Sequence, residues 1–330
     1  YQSVTDEAAR KKFEDAWGVK IQPESGITLT EMTKGAAEGT IKGMFILGEN
    51  PMLSDPDIKH VKEALGKLEF LVVQEIFPSD TTALAHVVLP GCSWAEKDGT
   101  FTNTDRRVQL LRKAIEPIGE ARADWQIICD IGKKMNARGF DFTSPGEVFD
   151  EIAKLTPLYA GMSYARLSKN GGLQWPCRTP EDPGTEVLHA STFSRGKGLF
   201  TAIDFREPAE LPDRDYPLTL TTGRSAFHFH TGTVTRNIPN LENELHEAYL
   251  EVNPEDAAKL DLIEDEIVKI SSRRGEINIK VHVTNRVGKG IVFMPFHFAE
   301  AAANVLTNTA LDPVAKIPEF KVCAVRVEKV

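Results

Sequence analysis

The densest run of chemically capable side chains is Thr221-Thr222-Gly223-Arg224-Ser225-Ala226-Phe227-His228-Phe229-His230-Thr231-Gly232-Thr233-Val234-Thr235-Arg236. It begins at the end of a strand-like stretch at 218–222. Backbone amides in a turn rich in Gly and Thr, flanked by Arg224 and hydroxyl groups, suit diphosphate oxygens through charge-assisted hydrogen bonds. A solvated turn that binds nothing is the plain alternative. His228 and His230, two residues apart, could share one strand face and ligate a metal, but a complete site needs three or four ligands. No second cluster supplies them, so no metal ligand is expected here.

A second run, Pro295-Phe296-His297-Phe298-Ala299-Glu300-Ala301-Ala302-Ala303-Asn304, sets two aromatic rings and His297 beside small residues. A flat ring could stack there, or the aromatics could end a barrel strand in the core. A third run, Glu96-Lys97-Asp98-Gly99-Thr100-Phe101-Thr102-Asn103 with Arg106-Arg107, mixes charges as a catalytic site would. Charge-rich loops are usually solvated, so it reads as surface and stays outside the candidate site. The GxGxxG, Walker, HExxH and GxSxG signatures are absent, which counts against the common nucleotide, zinc-protease and hydrolase classes.

These residues need elements to position them. Residues 42–47 read as a buried strand followed by the turn Gly48-Glu49-Asn50-Pro51. A helix should follow, capped by Ser54 or Asp55 with Pro56 just inside, because Ile58, Val61, Leu65 and Leu68 recur at helical spacing. Strands are expected at 70–74 and 87–89, with a short helical piece at 81–85 between them. Such alternation implies a parallel sheet with right-handed crossovers, whose loops and helix starts gather at one edge, where ligands bind. Asp124 should head a further helix with Trp125, Ile128, Ile131 and Met135 as its apolar stripe, and Pro145 another through Leu155. From about 159 to 217 the texture turns to Gly, Pro, Thr and Ser, as at a domain junction. Beyond it, strand signals at 218–222, 267–271, 276–283, 291–294 and 322–327 predict a β-barrel. One helix interrupts them, with Asn253 as its cap and Pro254 at its first position, and Arg273-Arg274-Gly275 closes a hairpin.

At 330 residues there is room for two cored domains. Lys and Arg total 39 against 48 Asp and Glu, a formal charge of -9, and no basic run exists to track a phosphate polymer, so nucleic acid is not an expected partner. The apolar stretches fall far short of the ~20 residues of a membrane span. No charged-then-apolar export segment opens the sequence, so a soluble, cytoplasmic protein is expected. The chain opens on Tyr1 rather than Met, which reads as a piece of a longer polypeptide. Cys92, Cys129, Cys177 and Cys323 are scattered and form no CxxC pair, so they are expected to be reduced and structural.

Taken together, the segments resemble one family over nearly the whole chain: the bis-pterin-dinucleotide molybdenum and tungsten oxidoreductases, and within it the formate dehydrogenase alpha subunits. The markers are Ile46-Leu47-Gly48-Glu49-Asn50-Pro51, Val73-Gln74-Glu75-Ile76-Phe77, Val87-Val88-Leu89-Pro90, Glu96 to Asn103 with Arg106, and Asp124-Trp125-Gln126. Later come Gln174-Trp175-Pro176-Cys177-Arg178, Leu311-Asp312-Pro313-Val314-Ala315-Lys316, and Pro318-Glu319-Phe320-Lys321 running into Cys323-Ala324-Val325-Arg326-Val327. The earlier blocks occur across the wider family; the last two are closer to formate dehydrogenases.

The resemblance implies an α/β module at 1–158, being the C-terminal part of a molybdopterin oxidoreductase domain. An irregular link at 159–216 and a dinucleotide-binding β-barrel of double-psi type at 217–330 would follow. It implies that Asn50 and Ser54 meet a nucleotide moiety, that Gln74 and Gly91 end the next strands, and that Asp124 pairs with guanine N–H groups. Arg224, Ser225, His228, Phe229 and His230 would form the cofactor-contacting turn, with Phe296, Asn304, Phe320 and Lys321 as later contacts. Phe296 and Phe320 depart from relatives that carry Tyr there.

The implied cofactor is a bis-molybdopterin guanine dinucleotide with Mo or W. The implied activity of the complete enzyme is interconversion of formate and carbon dioxide, with electrons passed through iron–sulfur clusters to a carrier such as NAD or ferredoxin. The [4Fe-4S] cluster, the Cys or selenocysteine metal ligand, and the His and Arg beside formate match no segment here. This chain is therefore expected to hold cofactor, to carry no catalytic residue, to be inactive alone, and to partner an N-terminal half and electron-transfer subunits bearing Fe–S, flavin/NAD or ferredoxin chemistry. The alternatives are a cofactor-free scaffold or electron-transfer subunit of a respiratory complex, and a nitrate reductase-like member of the same family.

Overall fold

The computed structural model describes residues 2–330. Among the described residues there are twelve strands: β1 (Gly43–Leu47), β2 (Phe70–Glu75), β3 (Val87–Pro90), β4 (Gly99–Thr102), β5 (Arg107–Leu111), β6 (Leu173–Gln174), β7 (Leu218–Gly223), β8 (Tyr249–Val252), β9 (Ile267–Ser271), β10 (Glu276–Val283), β11 (Ile291–Pro295) and β12 (Cys323–Lys329). By compactness the described chain forms two units, one holding residues up to Gly26 with Leu89–Asp204, the other Ile27–Val88 with Phe205–Val330. The units cut across the sequence boundaries at 158 and 216, because the β1–β2 layer is grouped with the later strands.

In the second unit β1 and β2 pair in parallel, with Leu47 opposite Gln74, so the loops leaving both strands emerge at one end. The helix Ile58–Gly66 connects them and buries Val61, Ala64 and Leu65 against Leu71 and Val73. Its cap corrects the sequence expectation. Asp57, in the left-handed region at φ 52°, accepts from the His60 N–H, whereas Ser54 closes a separate short helix, Pro51–Ser54, begun by Asn50. The proline at 56 breaks the run because the residue before a proline avoids helical geometry. β1 is also less buried than expected: it lies at the edge of the order β1-β2-β3, with Phe45 46% and Leu47 40% exposed.

The remaining six strands of this unit close a barrel in the order β10-β8-β11-β7-β12-β9. Two of its pairings are parallel, β8 with β10 and β7 with β11, and the others are antiparallel. Alternate residues point inward, and Leu220, Leu250, Val252, Val268, Ile270, Val292, Met294 and Val325 are almost wholly buried. At about 1.5–3 kcal/mol for each fully buried aliphatic side chain, this core fixes where β7 and β11 end. The Asn253 cap, accepting from the Glu255 N–H, and the β9–β10 hairpin closed by Ser272 and Gly275 follow the sequence reading. β8 lay unread in the sequence.

In the other unit β4, β5 and β6 form an antiparallel sheet, so part of the charged stretch at 96–103 is strand rather than solvated loop. The helix Tyr164–Asn170 and β6 likewise give regular structure to a stretch read as junction. The helix Asp124–Lys134 forms as expected but buries Ile127, Cys129 and Gly132, while Ile128 is 40% and Met135 75% exposed; its buried face is rotated from the predicted stripe. The helix Pro145–Leu155 begins at its proline, with Ser144 as cap. All four cysteines are buried free thiols. None of the helices is long and apolar enough to cross a membrane among the described residues.

Candidate cofactor site

The site is built where three barrel strands begin or end together. β7 and β11 run parallel with Gly223 opposite Pro295, so the segments leaving them start side by side, joined by the Phe296 N–H donating to the Gly223 carbonyl at 3.1 Å. The lead-in to β12 is tied to the same place: Thr222 Oγ1 donates to the Phe320 carbonyl at 2.7 Å, and Lys321 Nζ donates to the Thr222 carbonyl. The outcome is a hollow of ≈ 400 Å³ lined by Ser54, Thr222, Arg224, His230, Phe296, Asn304, Phe320 and Lys321. All but Thr222 were singled out from sequence. Two cations and no carboxylate line it, in a chain of formal charge -9.

Within the turn the predicted residues divide by role. Arg224 is exposed, forms no ion pair among the described residues, and lies over the Phe229 ring at 5.7 Å; Phe229 itself is 72% exposed. Ser225 Oγ is buried without a hydrogen-bond partner. His230 adopts φ 51° and sets its ring edge-on to Phe296 at 5.9 Å. His228 points away from the hollow's lining: it is buried, with Nε2 on the Leu245 carbonyl at 2.6 Å, Nδ1 near Thr235 Oγ1 at 3.3 Å and its ring edge-on to Phe298. It braces the turn from behind. His297, absent from the predicted set, lies buried between the turn's ends, hydrogen-bonded to the Ser225 amide and the His230 carbonyl. Burial holds its pKa below the ordinary imidazole value, against the opposing pull of the bond to His230. The signal for it was a histidine flanked by two aromatics at a strand end.

The floor comes from the β1–β2 layer of the same unit. Asn50 is buried and its Oδ1 accepts from Thr81 Oγ1 at 2.6 Å, which in turn accepts from the Met52 N–H. Gln74 is buried at the end of β2. Asn304 Nδ2 donates to the Leu53 and Ser54 carbonyls at 2.9 and 3.1 Å, fixing the end of the short helix so that Ser54 reaches the hollow. Ser54 Oγ donates to Asp55, whose carboxyl burial pushes up to about 6. A second hollow of ≈ 420 Å³ shares Ser54, His230 and Phe320 with the first and extends along Met44, Phe45, Ile46 and Leu47. β1 thus lines a hollow adjoining the first.

Gly91 and Asp124 belong to the other unit. Gly91 bridges to Arg122, and the flanking Cys92 N–H donates to the Arg122 carbonyl. Asp124, in the first turn of its helix, is ion-paired to Lys97. Glu96 is buried, its oxygens accepting from the Ser93 and Ile118 amides, which corrects the reading of this stretch as wholly solvated. Backbone hydrogen bonds hold its carboxyl below the ordinary range.

A large anion with a flat ring fits the hollow's lining, with unpaired Arg224, the Lys321 ammonium, Phe296 and Phe320; the orphaned hydroxyl of Ser225 is buried next in the chain to Arg224. Among the described residues no group of three or more His, Cys, Asp or Glu is arranged to hold a metal ion.

Comparison with known families decides the class. The model described as Molybdopterin oxidoreductase matches residues 4–134, and that described as Molydopterin dinucleotide binding domain matches residues 218–324. The chain belongs to the molybdopterin oxidoreductase family. Within it, this chain is 51% identical to the F420-dependent formate dehydrogenase subunit alpha of Methanocaldococcus jannaschii, over 100% of this chain and 49% of that protein. It is 38% identical to the assimilatory nitrate reductase catalytic subunit of Bacillus subtilis, over 99% of this chain and 48% of that protein. The chain spans about half the length of these curated relatives. Acetylene hydratase from Pelobacter acetylenicus shares the fold at TM-score 0.74 and 18% identity, covering 100% of this chain and 50% of that one.

Proposed function

We propose that this chain is the cofactor-gripping half of a formate dehydrogenase catalytic subunit, and that the hollow at the ends of β7 and β11 receives a pterin guanine dinucleotide. The observation that carries the reading is a cavity lined by two cations and no carboxylate on a chain of net charge -9, inside a family that binds this anionic cofactor. When bound, the cofactor supplies the Mo or W centre and its two-electron chemistry. The chain's own residues bind and orient. Arg224 and Lys321 meet anionic oxygens, Ser225 Oγ and Ser54 add hydrogen bonds, and Phe296 and Phe320 shield flat surface. Asp124 takes guanine N–H groups by exchanging its bond to Lys97. Asn50, Gln74, His228, Phe229 and Asn304 complete or brace the walls, and Gly91 is a further cofactor contact borne by the other unit.

Supporting formate over nitrate is the higher identity to proteins named formate dehydrogenase, 51% against 38%. The same names favour F420 as electron acceptor over NAD or ferredoxin. In this reading the modules are 1–158, 159–216 and 217–330, and the two parallel pairings of the barrel support a double-psi arrangement. A [4Fe-4S] cluster and the metal ligand lie on the other half of the subunit, the assembly is cytoplasmic, and further subunits carry electrons onward. Purification of the complete subunit, with assay of pterin, Mo and W and of formate-dependent dye reduction, tests the proposal. Formate activity with metal and pterin is the expected result. A subunit without pterin would favour the scaffold alternative, and nitrate reduction without formate oxidation would move it elsewhere in the family.

A further inference from the structure

His297 is 1% exposed, and both of its ring nitrogens are taken by the backbone of one turn. Nε2 accepts from the Ser225 N–H at 2.8 Å, and Nδ1 donates to the His230 carbonyl at 2.5 Å. A single ring therefore ties together the two ends of the segment 225–230. Only an unprotonated ring nitrogen accepts an N–H, so the pair of bonds requires the neutral Nδ1–H tautomer. What this strut holds in place is the strained or orphaned part of the site: His230 in the left-handed region, its ring against Phe296, and Ser225 Oγ buried with nothing to bond. Neither is a conformation that a free turn would keep.

We propose that His297 is the positioning residue of the cofactor turn, holding residues 224–230 as a neutral strut and loosening the turn's grip on the cofactor when it takes up a proton. The inference rests on the cofactor reading above. Protonation would turn Nε2 into a second donor facing the Ser225 N–H, and the strut would lose one of its two bonds. The charged and titratable groups around the ring are His228, Arg224 and His230 on the turn. Behind Phe298, Arg236 is already paired with Glu242 and Glu300, and Glu242 lies 3.7 Å from His228 rather than on His297. With both ring nitrogens on backbone partners, no carboxylate bonds the ring to favour its charged form. Burial therefore keeps the strut neutral at ordinary pH, and the grip is lost only on acidification below the usual imidazole range.

The test uses the complete catalytic subunit in its native complex, unaltered and as His297→Gln and His297→Leu. Pterin dinucleotide per protein is measured after dialysis at about pH 7 and about pH 5, values that bracket the ordinary imidazole pKa, with a melting curve for each sample. A glutamine amide can donate to the His230 carbonyl and accept from the Ser225 N–H but does not titrate. It should hold cofactor equally at both pH values, whereas the unaltered subunit should lose several-fold at the lower one. Leucine fills the space without either bond and should lose on the order of tenfold at both, the equilibrium consequence of one to two hydrogen bonds. Cofactor content in His297→Leu equal to the unaltered protein would overturn the inference. So would a pH-dependent loss in His297→Gln that parallels the unaltered protein, and this comparison decides the matter if the leucine variant does not fold. If the unaltered subunit holds no pterin dinucleotide at about pH 7, the cofactor reading itself fails and the strut falls with it.

Discussion

Arg224 and Asp124 are charged groups placed at the ends of well-formed elements, one just after β7 and the other in the first turn of the helix Asp124–Lys134. They differ in what the protein has already done with them. Arg224 has no ion pair among the described residues and rests on an exposed ring, whereas Asp124 is joined to Lys97. A ligand anion at Arg224 adds an interaction; a guanine at Asp124 must replace one. The net energy available from the second is accordingly smaller, although the same kind of charge-assisted bond would form at both.

The largest effect expected on stability lies beside the first site. Asp55 is 6% exposed and its carboxyl is raised from 3.8 to about 6 by burial, with Ser54 lowering and Glu49 raising it further. A carboxyl raised on folding binds protons more readily in the folded state, so stability falls as pH rises from about 4 to 6 and stays reduced above. At about 1.4 kcal/mol per unit, the penalty above pH 6 is at most about 3 kcal/mol. Asp55→Asn should therefore stabilise the protein at neutral pH, with the gain shrinking to nothing below about pH 4. Urea midpoints across that range check it, and a gain independent of pH would contradict the assignment.

Asn304→Ala should cost somewhat less, about 2 kcal/mol, because it strands the Leu53 and Ser54 carbonyls. An unchanged unfolding midpoint would show that Ser54 reaches the hollow without it. Arg224→Met should leave the midpoint unchanged while cofactor content falls about tenfold, as expected for one charge-assisted bond. Normal cofactor content in that variant would remove the distinction between the two sites. The smallest change is predicted for Asp124→Ala. With side chains 21% and 36% exposed, the Lys97–Asp124 pair contributes under about 1 kcal/mol to stability, and cofactor retention should fall by less than in Arg224→Met. A larger loss at Asp124 would reverse the ranking and assign guanine recognition the greater share.

The barrel was legible because its strands alternate apolar and polar residues, and the turn after β7 was legible because its composition is unusual for a turn. Arg224, Phe296, Phe320 and Lys321 could be placed on one site through family resemblance, and the fold brings them to one hollow. Roles inside that site were not legible. Nothing in the order of residues tells that His228 faces the Leu245 carbonyl while His230 lines the cavity, since His230 itself is left-handed and breaks the alternation. His297 was passed over because its value lies in two backbone bonds made far along the chain. The cap of the helix Ile58–Gly66 moved to Asp57 because a proline intervened, and Ile128 and Met135 were assigned to a buried face that spacing alone could not orient. β8 is four residues long and offers too little pattern to read.

The strand order of the barrel also sets a timetable for biosynthesis. β7, which ends at the turn bearing Arg224, has β11 and β12 as its neighbours rather than β8. A nascent chain that has left the ribosome as far as β10 can form the β9–β10 hairpin, but β7 is then still an unpaired ribbon. Its turn acquires a wall only when Phe296 to Asn304 has been translated, and a rim only when Phe320 and Lys321 follow. Long-range pairing of this kind is slow and leaves edges exposed to aggregation while it waits. The lining of the hollow is therefore complete only once Lys321 has been translated, and β7 gains its second neighbour only with β12.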